Sequence, residues 1–323
     1  MKVAVTGATG FIGQVVLNTL KKRGHKSLAI VRNRNKTSHL IADHFIEVKD
    51  IGPGTDWGNA LENLDAIIHA AGRAHVMKET EKNPLETYRK INTFGTEQLA
   101  YCAVASQVKK FVLLSSVKAG AASTINNESR HFKDARKEDP YSFTKMEGEK
   151  AVETIASSSD MQWSIIRSPL VYGENVRGNF ATLMKAVANG WFLPFASIRN
   201  RRSLIYVANL ADALVHAATN DKLQGTYYVT DGTPVSTPEL IRKIAFALDC
   251  TPRLFSLPPV LLLSAGSIFR KRGEVRRLLE DLEFDDSNFR RDGKWTSPFT
   301  MEEALNRTAN WYKNKKFSKD NCQ

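Results

Sequence analysis

Two short stretches hold side chains whose types and spacing suit proton transfer. Asp139-Pro140 introduces Tyr141-Ser-Phe-Thr-Lys145, and Ser115-Ser116 ends the apolar run 110–115. Asp is a good helix N-cap and Pro suits the first helical position, so Tyr141 and Lys145 are expected one turn apart on one helix face. A phenol with a pKa of about 10 is a poor base at neutral pH. A neighbouring ammonium favours its phenolate and makes proton exchange feasible. A hydroxyl at the end of a strand, here Ser116, can polarise a substrate oxygen. Alone, a Tyr-x-x-x-Lys spacing recurs by chance and a structural pair is the default. Its place in the order of elements reverses that default.

A third stretch, Thr6-Gly-Ala-Thr-Gly-Phe-Ile-Gly13, follows the apolar run Val3-Ala4-Val5. Strand, glycine turn and helix is the setting in which a glycine fingerprint binds a dinucleotide. Gly7 allows the tight turn, Gly10 lets the backbone approach a pyrophosphate, and Gly13 lets the helix pack close to the sheet. Phe11 and Ile12 open the helix, whose free N–H groups and partial positive charge face the phosphate. The next strand ends LAIVRNRN, with Arg32 and Arg34 where a carboxylate would hold a ribose 2′-hydroxyl. Arginine there pairs with a 2′-phosphate or points into solvent. The first option favours NADP(H) over NAD(H). Asp50 and Ile51 would flank the adenine, and the small residues Ala70, Ala71 and Gly72 let the backbone pass the cofactor.

These groups need a scaffold, and the chain spells one. Apolar, β-branched runs at 2–6, 27–32, 44–48, 65–69, 110–115, 163–167 and 226–229 alternate with helix-like spacing, as over 12–23 and 84–105. That alternation predicts an α/β fold, a Rossmann-like doubly wound parallel sheet of about seven strands. After Tyr172 the pattern breaks into loops rich in Gly, Asn and Pro. The expected organisation is a dinucleotide domain over 1–170, rejoined by 203–230. An interleaved, mostly helical substrate lobe over 171–312 and a solvated tail over 313–323 complete it.

Composition narrows the classes. With 323 residues the chain can bury a substantial core. Three scattered cysteines suit neither a disulfide framework nor a zinc site. The apolar run 257–269 is too short to span a bilayer and opens with two prolines; it reads as a buried helix, a membrane-facing helix being the alternative. With the glycine turn at residue 7 there is no room for a cleavable signal peptide, so the cytoplasm is the expected setting. The net charge of +12 is spread along the chain without a nucleic-acid motif, so it is read as solubility and attraction for phosphate-bearing ligands.

Taken together, TGATGFIG, HAAG, Asn92 in INTFGT, LLSS, YSFTK and RSPLVYG resemble an extended short-chain dehydrogenase/reductase of the nucleotide-sugar epimerase/dehydratase branch. The resemblance implies Ser116, Tyr141 and Lys145 as the catalytic set. It implies Lys145 on the nicotinamide ribose, Ser168, Pro169 and Leu170 beside the nicotinamide, and Asn92 in the cofactor site. Asn179, Phe180, Arg202 and Arg277 match positions that hold a nucleotide diphosphate. The Asp-Glu pair of the dehydratases is replaced by Val117 and Lys118, which argues against elimination of water. Lys118 either contacts substrate or is solvated. Stretches such as GRAHVMKE and LSSVK resemble reductases that make UDP-N-acetylquinovosamine for bacterial surface polysaccharides. The leading expectation is therefore reduction of a UDP-4-keto-6-deoxy-N-acetylhexosamine, with UDP-hexose 4-epimerisation the alternative and a non-catalytic dinucleotide-sensing module a third. A homodimer is a further implication of the family.

Overall fold

The computed structural model describes residues 1–74, 83–124, 139–268 and 278–320. All seven apolar runs form strands of one sheet: β1 (Lys2–Thr6), β2 (Lys26–Val31), β3 (His44–Glu47), β4 (Ala66–His69), β5 (Lys110–Ser116), β6 (Gln162–Ser168) and β9 (Gly225–Tyr228). Their order is β3-β2-β1-β4-β5-β6-β9, every pair parallel. Alternate residues point to opposite faces. Ala4, Ile67, Phe111, Leu113 and Ile165 join one core with Leu99 and Ala103 of helix α3 (Thr96–Ala105) and with Val152 and Ile155 of α5 (Pro140–Ser157). On the strands, Val3, Val5, Ile68, Val112 and Ile166 take the alternate positions and are also buried. Helix α1 (Phe11–Lys22), with Val16, Leu17 and Leu20 buried, packs against β1 and β2. Burial on both faces is why these strands read as continuous apolar runs.

The chain leaves β1 for β2 and β3, then crosses back to β4 on the other side of β1. Ligands of open α/β sheets bind beyond the carboxyl ends of strands at such a switch point. The 84–105 helical pattern forms as three joined pieces: α2 (Pro84–Arg89), a π turn over Lys90–Gly95, and α3. Helix α4 (Val117–Thr124) follows β5 directly.

The chain divides into two compact units. The first is Met1–Pro169, Ala208–Val229 and Asp286–Pro298; it holds the large sheet, α7 (Val207–Thr219, from its second residue) and α10 (Ser287–Gly293). The second is Leu170–Val207, Thr230–Asp285 and Phe299–Gln323. It contains a two-stranded sheet of β7 (Leu170–Tyr172) and β8 (Leu204–Tyr206), and helices α6 (Gly178–Ala188), α8 (Thr237–Ala247), α9 (Pro259–Ile268) and α11 (Met301–Asp320).

Three boundaries differ from those expected. Leu204–Tyr206 pairs with Leu170–Tyr172 in the small sheet, so the return to the first unit begins at Ala208, not 203. Pro169 explains this: it has no N–H to continue β6, and the chain resumes as a strand in a new sheet. Residues 286–298 also belong to the first unit. Finally, α11 continues to Asp320, past residue 313 where a tail was expected. A capping box starts it: the Thr300 N–H donates to Glu303 Oε2 (2.8 Å) and the Glu303 N–H to Thr300 Oγ1 (3.3 Å). Its lysines are fair helix formers and suit a helix C-terminus, so polarity alone does not end it.

Candidate active site

The three glycines of the first turn earn their places in different ways. Gly7 has φ +68°, and a Cβ there would lie 2.7 Å from the Ala71 nitrogen and 2.8 Å from the Ala70 carbonyl. Its bareness lets the end of β1 touch the segment after β4 at the switch point. A Cβ on Gly13 would lie 2.2 Å from the Gly7 oxygen, so the first turn of α1 rests directly on the glycine turn. Gly10 is the N-cap; its N–H donates to the Gly7 oxygen (2.8 Å), and the cap has no side-chain oxygen. The first turn of α1, with Phe11 and Ile12, contains no acidic residue. Bare N–H groups, a helix N-terminus and no competing carboxylate fit a dinucleotide pyrophosphate.

Behind this turn, Thr6 Oγ1 lies 2.7 Å from His69 Nδ1 and accepts the Ala71 N–H (3.2 Å). His69 Nε2 lies 3.0 Å from Thr96 Oγ1. The buried imidazole thus ties the ends of β1 and β4 to α3. Burial, helped by the Lys145 charge, pushes its pKa down to about 3, so it stays neutral. Sequence reasoning read HAAG for its small residues and missed the histidine's role.

The π turn carries Asn92 into this region. Its Oδ1 accepts the Arg73 N–H (2.8 Å), and its Nδ2 donates to the Arg73 carbonyl (3.0 Å) and Thr144 Oγ1 (3.2 Å). The side chain therefore clamps the segment after Gly72, where the resemblance implied cofactor contact. A Cβ on Gly72 would come 3.2 Å from Asn92 Oδ1 and 4.0 Å from Lys145 Nζ, so these three expected residues converge. Gly148 lets α5 reach the same turn; its Cβ would lie 2.3 Å from the Asn92 carbonyl oxygen. Arg89 of α2 and Glu147 of α5 close the contact with hydrogen bonds of 2.8 and 2.6 Å. Asp50 is paired with Lys90 (3.2 Å), while Ile51 is buried where Gly95 leaves room for it.

Asp139 caps α5 as expected, accepting the Ser142 N–H (3.2 Å). Tyr141 and Lys145 follow one turn apart. Lys145 Nζ donates to the Leu114 carbonyl of β5 (2.7 Å). Of the two serines ending that strand, Ser116 hydrogen-bonds Tyr141, whereas the buried Ser115 hydroxyl has no hydrogen-bond partner among the described residues. Ser116 is therefore the serine that the structure brings to Tyr141. Tyr88 meets the Tyr141 ring edge-on (6.4 Å, 69°), and the Lys118 ammonium lies 6.0 Å from its centroid. Lys118 is held there by Asp139 (2.9 Å).

The expectation that Lys145 lowers the phenol is not met. Burial pushes Tyr141 up to about 12, against the opposing hydrogen bond from Ser116. The same burial brings Lys145 down to about 8, with Glu149 pulling it back. In this state the phenol is a proton donor beside a weakened ammonium.

Glu149 was missed by sequence reasoning, although its position one turn after Lys145 was a usable signal. It is buried and bound by Arg167 Nη2 (2.7 Å) and Nε (3.1 Å); Arg167 Nη1 donates to the Tyr228 hydroxyl (3.2 Å). Arg167 directly precedes Ser168, which is buried and donates to the Ser115 carbonyl (3.3 Å). Pro169 is buried too, and Leu170 is exposed at the first position of the second unit.

Arg32 is exposed at the end of β2; Arg34 lies over Phe45 (5.8 Å). Asn179 is exposed in the first turn of α6. The Phe180 side chain is fully buried and stacks on Tyr172 (5.1 Å, 23°), so the ring packs in the core of the second unit. Arg202 Nη1 donates to the Glu280 carbonyl (3.3 Å). Arg277 lies outside the described residues. Among the described residues no cluster could hold a metal ion, and no helix is long and apolar enough to cross a membrane.

A glycine cradle at the switch point, with Ser116 at the end of β5 and Tyr141 and Lys145 on the helix α5 that packs on it, defines an extended short-chain dehydrogenase/reductase. The sequence matches the NAD dependent epimerase/dehydratase family over residues 3–229, and the chain belongs to that family. It is 37% identical over 319 residues to a UDP-glucose 4-epimerase of Vibrio cholerae, covering 95% of this chain and 94% of that one. Its fold matches a UDP-N-acetylglucosamine 4-epimerase of Methanobrevibacter ruminantium (TM-score 0.73, 20% identity, 97% and 98% covered). It also matches a UDP-glucose 4-epimerase of Thermotoga maritima (TM-score 0.71, 17% identity, 98% and 99% covered). The protein is thus an NAD(P)-dependent enzyme of the epimerase/dehydratase family.

Proposed function

We propose that this enzyme inverts C4 of a UDP-hexose or UDP-N-acetylhexosamine. The observation that most supports this is the near-full-length likeness to the Vibrio cholerae UDP-glucose 4-epimerase, which keeps company here with a complete Ser116, Tyr141 and Lys145 set. It ranks epimerisation above the 4-keto reduction that the sequence favours.

The cradle of Gly7, Gly10 and Gly13 would hold the pyrophosphate, and Lys145 the nicotinamide ribose. A bound oxidised nicotinamide would accept the hydride from C4 and return it to the opposite face. Tyr141 moves the proton at the C4 oxygen, and Ser116 holds that oxygen by a hydrogen bond. Lys145 supplies positive charge beside the phenol. Asn179 and Arg202 are proposed to meet the diphosphate. Val117 and Lys118 stand where the dehydratases have the carboxylates that remove water, which speaks against elimination.

One observation favours a second reading, one-way 4-keto reduction. Lys118 sits over Tyr141, and the phenol is held in its proton-donating form. Arg32, with no carboxylate in its place, would then favour NADPH. Two reactions separate the readings. UDP-glucose and UDP-N-acetylglucosamine are each incubated with oxidised cofactor and followed by anomeric proton resonance. UDP-4-keto-6-deoxy-N-acetylglucosamine is mixed with NADPH or NADH and followed by nicotinamide absorbance. Appearance of the C4 epimer without net cofactor change is expected. Stoichiometric loss of reduced cofactor, with no epimer in the first reaction, overturns epimerisation in favour of reduction.

A further inference from the structure

The start of α5 is fastened across the site by an ion pair. Asp139 uses its two carboxylate oxygens differently. Oδ1 accepts the Ser142 N–H (3.2 Å) and caps the helix. Oδ2 accepts the Ser142 hydroxyl (2.7 Å) and the Lys118 ammonium (2.9 Å). Only Pro140 separates Asp139 from Tyr141, so whatever holds Asp139 also holds the turn that carries the phenol.

Lys118 is rooted beside the other catalytic oxygen. It is the second residue of α4, which follows β5 without a break. Its backbone N–H donates to Ser116 Oγ (3.3 Å), and its ammonium lies 6.0 Å from the centre of the Tyr141 ring, within cation–π range. Val117 and Ala119 on either side are buried, and a Cβ on Gly120 would lie 2.8 Å from Arg167 Nη1. The first turn of α4 therefore has little room to shift. One lysine thus spans from the serine on β5 to the tyrosine on α5.

Stability does not explain this pair. Its side chains are 42% and 38% exposed, and pairs so open to water contribute little to folding. The cap does not need Lys118 either, since Oδ1 takes the Ser142 N–H. What the pair adds is a tether at the end of α5 where the phenol must be aimed. A misplacement of about 1 Å at a reacting group can cost about a hundredfold in rate.

We infer that Lys118 is a positioning residue, which through Asp139 fixes the first turn of α5 against the end of β5 and keeps Tyr141 on Ser116. The inference rests on the reading of Ser116 and Tyr141 as catalytic, and it applies to epimerisation and reduction alike.

The test compares four variants on whichever UDP-sugar the wild type turns over. Lys118→Met keeps the length of the side chain and loses its charge. Asp139→Asn keeps a capping side chain and loses the ion pair. The double variant and Lys118→Arg complete the set. Each of the first two should lower kcat about tenfold or more, with KM and dinucleotide affinity within about twofold of wild type and an unmoved thermal transition. The double variant should be no slower than the slower single one, because both changes break one bridge. Lys118→Arg, which can keep the pair, should recover most of kcat. Lys109→Met, which breaks an exposed pair with Asp65 (3.6 Å) at the other end of β5, should turn over as wild type does. Deuterium uptake over the first turn of α5 needs no substrate and should quicken in Lys118→Met. Unchanged kcat or unchanged uptake in that variant overturns the inference. So does a raised KM at unchanged kcat, which would make the lysine a substrate contact, and so do additive losses in the double variant. Tyr141→Phe is run beside them. If it keeps full turnover, the catalytic reading falls and this inference with it. If it loses turnover while Lys118→Met does not, this inference falls alone.

Discussion

Arg167 grips Glu149 with two of its nitrogens, one helical turn behind Lys145, and both partners are largely buried. The pair fastens the helix that carries Tyr141 and Lys145 to the strand that carries Ser168. It also places a negative charge where it favours the ammonium of Lys145. Glu149 fits a positioning role: it is held by Arg167 and acts on Lys145 through its charge.

Glu149→Gln leaves a buried guanidinium without its counter-charge, which costs about 3–5 kcal/mol where such pairs are broken. Lys145 would also lose the charge that holds its pKa up. The expected result is a lower thermal transition, together with an activity profile whose alkaline limb moves to lower pH. A stability loss with an unmoved limb would make the pair structural only. Glu149→Asp, which keeps the charge, should restore part of the profile.

Tyr141→Phe removes the only phenol hydrogen-bonded to Ser116 in the described site and keeps the ring. Turnover should fall about a hundred- to ten-thousand-fold, the usual range for a lost acid–base group. Dinucleotide binding, followed by fluorescence quenching or calorimetry, should persist. Full turnover in this variant would remove the catalytic assignment.

Lys145 makes activity and stability respond to pH in opposite directions. Its pKa is about 8 in the folded chain against 10.5 for a free lysine. Activity that depends on its charge should fall as pH rises through about 8. Between about 8 and 10.5 the unfolded chain binds the extra proton and the folded chain does not, so this group's contribution to stability rises with pH there. Its burial penalty is fully present below pH 8. Denaturant titrations of wild type and Lys145→Met across that window measure the slope. Identical slopes for the two proteins would refute it.

Gly13→Ala tests the cradle. The added carbon would meet three backbone atoms: the Gly7 oxygen at 2.2 Å, the Gly7 carbonyl carbon at 2.8 Å and the Ala8 Cα at 2.9 Å. Backbone cannot swing aside, so a loss of about 1–3 kcal/mol is expected, with weakened dinucleotide binding. Gly54→Ala, where nothing lies within 4 Å, is the neutral control. Equal dinucleotide affinity in Gly13→Ala and wild type would remove the cradle from the binding site.

The five inner strands β2, β1, β4, β5 and β6 were legible because each is buried on both faces and so is largely apolar, while the edge strands β3 and β9 are mostly half-buried or exposed and were read from their β-branched and aromatic residues. Asp139, Tyr141 and Lys145 were legible because capping and helical spacing are local rules. The upward shift of Tyr141 was not, since burial is a property of the packed chain. That the Phe180 ring packs on Tyr172 was not legible either, because a sequence does not say which way a side chain turns. The tie from His69 to Thr6 and Thr96 joins residues 63 and 27 positions apart, beyond any local pattern.

The π turn at Lys90–Gly95 has a further consequence, for insertions and deletions. A π turn contains one residue more than an α turn, and each helical residue advances about 100° around the axis. Losing one residue there would restore an ordinary α turn and leave Thr96–Ala105 in nearly the same rotation against Pro84–Arg89. Thr96 and Leu99 would still face His69 and the sheet, but Asn92 would lose the widened turn that carries it to Arg73. The spare residue is a local bulge that the helix on either side does not feel. A single-codon deletion in this stretch is therefore the loss of a clamp, whereas one within α3 would rotate the rest of that helix by about 100°.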